Sequence, residues 1–140
     1  MTTMTDAEFF NKLAPTWDST RERQPQLLQQ LTAKLELKPR DRVLDLGSGT
    51  GVLLPYLAPQ AAQVTTVDFA EAMLELAARN HAGLTNITYL HGDILELALP
   101  EASFEQITCL NFYPHVKDSA VFLSKAARLL VPGGKLTIMH

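Results

Sequence analysis

At 140 residues, with 46% hydrophobic and 19% charged residues, the chain has the size and composition of one folded domain with a single core, which excludes a disordered polypeptide. The 12 Lys plus Arg against 15 Asp plus Glu give a net charge of −3, so there is no overall basic footprint for holding nucleic acid. Cys109 is the single cysteine, which excludes an intrachain disulfide and a cysteine-built zinc site and fits a reducing compartment, so the cytoplasm is the expected location.

The first residues, Met1 to Phe10, carry Asp6 and Glu8 and lack the cationic start and apolar run of a signal peptide. No uncharged apolar stretch approaches the roughly 18 residues that a membrane span needs, so neither export nor insertion is expected. Pro25 then opens a segment in which Leu27, Leu31 and Leu35 recur at the spacing of one helical face, and Pro39 closes it. Val43-Leu44-Asp45-Leu46 is a short apolar run that enters Gly47-Ser48-Gly49-Thr50-Gly51 and breaks into a helical-looking Val52 to Ala58 before Pro59. This is read as strand, glycine turn, helix.

The alternation continues. Gln63 to Asp68 is rich in Val and Thr, as strands are, and Ala70 to Asn80 sets Ala70, Met73, Leu74, Ala77 and Ala78 along one side of a helix. Ile87 to His91 and Glu105 to Leu110 supply a third and a fourth strand. Asp118 is the expected N-cap of a helix running to about Leu130, and Val131-Pro132-Gly133-Gly134 is expected to turn into a fifth strand, Lys135 to Met139. Alternating strands and helices imply right-handed crossovers and a mainly parallel sheet with helices on both faces, the doubly wound α/β architecture. Ligands of such sheets sit outside the carboxyl ends of the strands.

The glycines lie at such an end. Lacking a side chain, Gly47, Gly49 and Gly51 allow positive φ and the close approach of a ligand to backbone at a helix start. The plainer alternative is a helix entry that needs small residues for turning and packing alone. A dinucleotide fold usually shows G-x-G-x-x-G, and here the third glycine comes one residue early. Asp68 closes the second strand, where a carboxylate can accept both hydroxyl hydrogens of a ribose, although Asp is also a common helix cap. His91-Gly92-Asp93-Ile94 follows the third strand, and Gly-Asp there also suits a simple turn.

Asp45-Leu46-Gly47-Ser48-Gly49-Thr50-Gly51 resembles the D-x-G-x-G-x-G motif of class I methyltransferases dependent on S-adenosylmethionine (SAM). Gly92-Asp93 is similar to that family's G-D motif. Ser103-Phe104-Glu105-Gln106-Ile107 is similar to its S-F-D-x-V lead, and Leu129 to Leu136 to its L-x-P-G-G-x-L turn, so the resemblance runs from about Phe9 to Met139. Phe10 to Asp18 resembles the F-D-x-x-A-x-x-Y-D opening of small-molecule members, quinone-biosynthesis enzymes among them, with Asn11 and Trp17 replacing the usual Asp and Tyr.

The resemblance implies a Rossmann-like sheet of five strands in the order 3-2-1-4-5, without the family's usual last two strands. It implies one SAM-binding domain over 1–140, with a helical cap region at 1–38 and an α/β core at 39–140. SAM would be the methyl donor, S-adenosylhomocysteine the product and a small molecule the acceptor, with no metal. Gly47, Ser48, Gly49 and Gly51 would lie under the methionine part, and Asp45 would face its ammonium or cap the glycine turn. Asp68 would hold the ribose. Phe69 and Met73 would flank the adenine or belong to the core, and Asp93 would accept from the adenine amino group beside the Ile94 amide.

Asn111 to His115 would meet donor and acceptor at the end of the fourth strand. Asn111 counts with the cofactor residues, Tyr113 could orient a nucleophile and His115 could remove a proton, although a solvated loop histidine is the alternative. The open edge of the fifth strand implies either a fragment of a longer protein or an edge that pairs in a homodimer or aggregates. Two other readings remain at this point: a SAM-binding module that needs a partner for turnover, and an NAD-dependent oxidoreductase, which the glycine spacing opposes.

Overall fold

Apolar runs that are buried on both faces form the centre of a sheet covered by helices on both sides. In the computed structural model, which describes residues 25–47, 49–110 and 119–139, the strands are β1 (Arg42–Leu46), β2 (Gln63–Asp68), β3 (Ile87–His91), β4 (Phe104–Leu110) and β5 (Leu130–Met139), of which β1, β2 and β4 are the mostly buried runs. They pair in parallel in the order β3-β2-β1-β4-β5, the order expected from the sequence. The helices are α1 (Pro25–Ala33), α2 (Leu54–Leu57), α3 (Glu71–Asn80) and α4 (Ser119–Leu129), with a 3₁₀ turn at Ala58–Gln60.

Strand alternation divides the core in two. Leu44, Leu46, Val67, Ile107 and Cys109 pack on one face against Phe122, Ala126 and Leu129 of α4. Val43 and Val64 pack on the other against Leu54 and Leu57 of α2, Ala77 of α3 and the half-buried Leu28 and Leu31 of α1. Among the described residues, no helix is long and apolar enough to cross a membrane.

Three elements differ from their expected form. In α1 the inward face is Leu28, Leu31 and Thr32 rather than Leu27 and Leu31, and Leu27 is 46% exposed. Thr32 can be buried because its hydroxyl donates to the Leu28 carbonyl at 2.9 Å, and Leu35 is buried from the turn beyond the helix. The helix after the glycine turn is a single turn that tightens to 3₁₀ through Pro59, because the 3₁₀ start tolerates a proline without an N–H.

The third difference lies in β5, which begins at Leu130. Leu130 pairs with Phe104 and Lys135 with Gln106, so Val131 to Gly134 bulge out between two paired positions of one strand, with Gly133 at a φ of +81°. The Pro-Gly-Gly signal for a turn is thus met as an irregularity within a strand. Asp118, the expected cap of α4, lies outside the described residues.

Candidate functional site

The carboxyl ends of β1, β2 and β3 bring Asp45, Asp68 and Asp93 to one rim of the sheet, each supplied by a separate strand or the turn that follows it. They differ in what surrounds them.

Asp45 has no exposed surface. In-register pairing sets Thr66 of β2 and Thr108 of β4 on either side of it, and both hydroxyls turn to its carboxylate, Thr108 Oγ1 donating to Oδ1 at 2.9 Å and Thr66 Oγ1 to Oδ2 at 3.4 Å. A buried carboxylate needs such donors to stay inside. Tyr89 stands next to Thr66 in the same row; its hydroxyl is buried and, among the described residues, is one of two buried side-chain atoms without a partner.

Asp68, at 6% exposure, accepts the Ala70 N–H at 2.8 Å and also the Gly49 N–H, so it joins the glycine loop to the start of α3. Burial pushes its pKa up to about 6. The Ala70 bond opposes that rise, the charge of Asp45 adds to it, and His91 and the Gly49 bond oppose it. His91 pairs with Asp68 across the β2–β3 ladder, and its Nε2 lies 3.1 Å from the Phe69 carbonyl. This tie was invisible in the sequence, where His91 has no ligand spacing.

Gly47 and Gly49 have φ of +64° and +66°, a left-handed geometry that a side chain would strain. Gly51, at +81°, serves packing: a Cβ there would lie 2.6 Å from Leu54 Cδ1 and 3.2 Å from Ala77 Cβ. The loop therefore turns at Gly47 and Gly49 and packs at Gly51. Phe69 is half-buried against the α4-side core, whereas Met73 is fully enclosed with Ala70 and presents no surface to a ligand.

After β3, Asp93 is exposed and its Oδ1 accepts the Leu95 N–H at 2.9 Å, shaping the turn as well as facing outward. The Ile94 side chain is 3% exposed and belongs to the core, so only its backbone can meet a ligand. Ser48, Asn111, Tyr113 and His115 lie outside the described residues.

Residues 44–138 match the family described as a methyltransferase domain. Among curated proteins, the chain is 38% identical over 114 residues to the ubiquinone biosynthesis O-methyltransferase of Coxiella burnetii (strain RSA 493 / Nine Mile phase I), a match that covers 80% of this chain and 48% of the relative. It is 35% identical over 98 residues to the demethylmenaquinone methyltransferase of Clavibacter sepedonicus, covering 70% of this chain and 40% of that protein. The chain thus spans less than half the length of these two relatives. The crystal structure of a SAM-dependent methyltransferase from Aquifex aeolicus aligns with a TM-score of 0.74 at 25% identity, over 96% of this chain and 72% of that one.

Proposed function

Since the chain belongs to the methyltransferase-domain family, we propose that it binds SAM at the carboxyl ends of β1, β2 and β3 and transfers the methyl group to a small-molecule acceptor. The observation that carries this reading is the pair of buried carboxylates beneath the glycine loop. Burial, with the charge of Asp45 adding to it, raises the pKa of Asp68, and a cationic ligand beside the two carboxylates opposes that rise. The residues present therefore fit SAM, which supplies a methyl group on a cationic sulfonium when bound.

The chain's own contribution is positioning. Asp68, already oriented by two backbone N–H groups, accepts from the ribose hydroxyls. The loop at Gly47, Ser48, Gly49 and Gly51 lies under the methionine part, its glycines letting the ligand come close to the backbone. Asp45, enclosed as it is, acts through space on the ammonium and sulfonium. Phe69 borders the adenine, with Met73 supporting it from the core, and Asp93 with the Ile94 backbone reads the adenine edge. Asn111, Tyr113 and His115 contribute at the acceptor side, Tyr113 orienting a nucleophile and His115 taking its proton. Holding nucleophile and methyl in near-attack geometry can lower the barrier by about 7–11 kcal/mol.

The names of the relatives favour a quinone precursor as the acceptor class. We place the chain in the cytoplasm, and the outer edge of β5, which pairs with no other described strand, against a second copy. A light-scattering mass that stays monomeric at high concentration counts against the second copy.

Calorimetry with SAM, S-adenosylhomocysteine and NAD tests the donor. Micromolar binding of both sulfur ligands is expected; NAD binding without either of them sinks the proposal. Turnover is then read by methyl transfer from labelled SAM to a catechol or hydroquinone probe. Binding without transfer would identify a donor-binding module that needs a partner to complete its acceptor pocket.

A further inference from the structure

The turn that carries Asp93 is held by one side chain from a distant helix. Lys125 of α4 donates its ammonium to the Leu97 carbonyl at 2.6 Å, a contact between residues 28 apart in sequence. Leu97 is the residue on which the turn closes. Its N–H bonds the Asp93 carbonyl at 2.9 Å, and its side chain lies over Gly92, where an added Cβ would stand 2.9 Å from Leu97 Cδ2. Gly92, at a φ of +153°, is thus glycine for both shape and space.

Lys125 is not a surface lysine that happens to lie nearby. It sits half-buried beside the inward face of α4 formed by Phe122, Ala126 and Leu129. Burial lowers its pKa, the neighbouring Arg128 lowers it further, and the charge of Asp93 opposes the fall. The Leu97 carbonyl gives this ammonium a charge-assisted acceptor within the fold.

From this arrangement we propose that Lys125 is a positioning residue for the donor site, fixing the turn from Asp93 to Leu97 in the form that reads the adenine amino group. The inference rests on the SAM reading above and deepens it. Lys125 touches no reacting atom; it acts through Leu97 on Asp93 and the Ile94 backbone.

The test couples the side chain to the ligand group it is said to serve. Binding of S-adenosylhomocysteine and of its purine counterpart, in which hydrogen replaces the amino group, is measured for wild type, Lys125→Met and Lys125→Arg. In K125M the affinity for S-adenosylhomocysteine should fall about fivefold, and the amino group should contribute less to binding than in wild type, as expected for coupled groups. K125R, which keeps a donor, should recover most of the loss. Amide hydrogen exchange at Ile94 to Leu97 should quicken in ligand-free K125M while the strands stay protected.

Equal affinity of K125M and wild type, or losses from the two changes that simply multiply, overturns the proposal, since a purely structural lysine would weaken both ligands alike. Should K125M not fold, Lys125→Gln carries the same comparison with a side chain too short for Leu97. Wild type that binds neither ligand sinks the donor reading and this inference with it. Wild type that binds while the variants are indistinguishable sinks this inference alone.

Discussion

Thr108 donates its hydroxyl to the Asp45 carboxylate at 2.9 Å across the β1–β4 ladder, inside a part of the sheet that has no exposure to water. A hydrogen bond to a buried charge contributes about 1.5–3 kcal/mol, and removing the donor leaves the acceptor desolvated. Thr108→Val, which keeps the shape, should therefore destabilise the protein by about 2 kcal/mol in urea unfolding. Thr108→Ser should lose much less. Equal stability of T108V and wild type would show that the remaining partners of Asp45 suffice.

Asp68 gives stability an acid-side slope with an unusual sign. Its pKa is raised from 3.8 to about 6 on folding, so between those values the folded state binds more protons than the unfolded one. The contribution of Asp68 is most favourable below about pH 4 and is lost as pH rises through about 6, a change on the order of 3 kcal/mol. Asp68→Asn should remove this slope and be more stable than wild type at pH 7.5, the gap closing toward pH 5. SAM binding should run the opposite way, weakening below about pH 6 as the ribose acceptor is protonated, while D68N binds poorly throughout. Denaturant midpoints and calorimetry over pH 4.5–8 check both trends.

Tyr89 places a hydroxyl that has no partner among the described residues in a buried position, and burial raises its pKa. An unsatisfied buried polar group costs stability. Tyr89→Phe should consequently be neutral or stabilising, by up to about 1 kcal/mol. A loss above that size in thermal or urea unfolding would mean that the hydroxyl acquires a partner in solution.

Met73 separates a core role from a ligand role. Fully buried beside Ala70, it should on replacement by alanine lower stability by about 2–5 kcal/mol. The SAM dissociation constant, measured where the variant remains folded, should change less than threefold. Unchanged stability with affinity lowered tenfold would reverse that assignment and put Met73 against the adenine.

Much of the sheet was legible because alternation of apolar and Val/Thr-rich runs with helical spacing leaves few arrangements for five strands. The glycine loop and the three acids could be read for the same reason: each falls at a strand end, and strand ends follow from where the apolar runs stop. What could not be read depends on partners remote in sequence. Thr66 and Thr108 lie 21 and 63 residues from Asp45, and nothing in their neighbours announces that strand pairing will bring both hydroxyls to it. The inward face of α1 misled for a local reason, since Leu27 looks like core and Thr32 does not until its hydroxyl is seen bonded to its own helix. The bulge at Val131 to Gly134 depends on how far β5 reaches along β4, a matter of pairing that no turn signal encodes.

The row formed by Thr66, Asp45 and Thr108 also bears on how the chain finds its fold. A slip of one residue would move every side chain of the buried strand β1 to the opposite face of the sheet. A slip of one residue against β4 would set Asp45 against Ile107 or Cys109 and leave a buried carboxylate without its donor. The buried carboxylate and its two threonine donors thus act as a key cut for a single alignment of β1 with its neighbours.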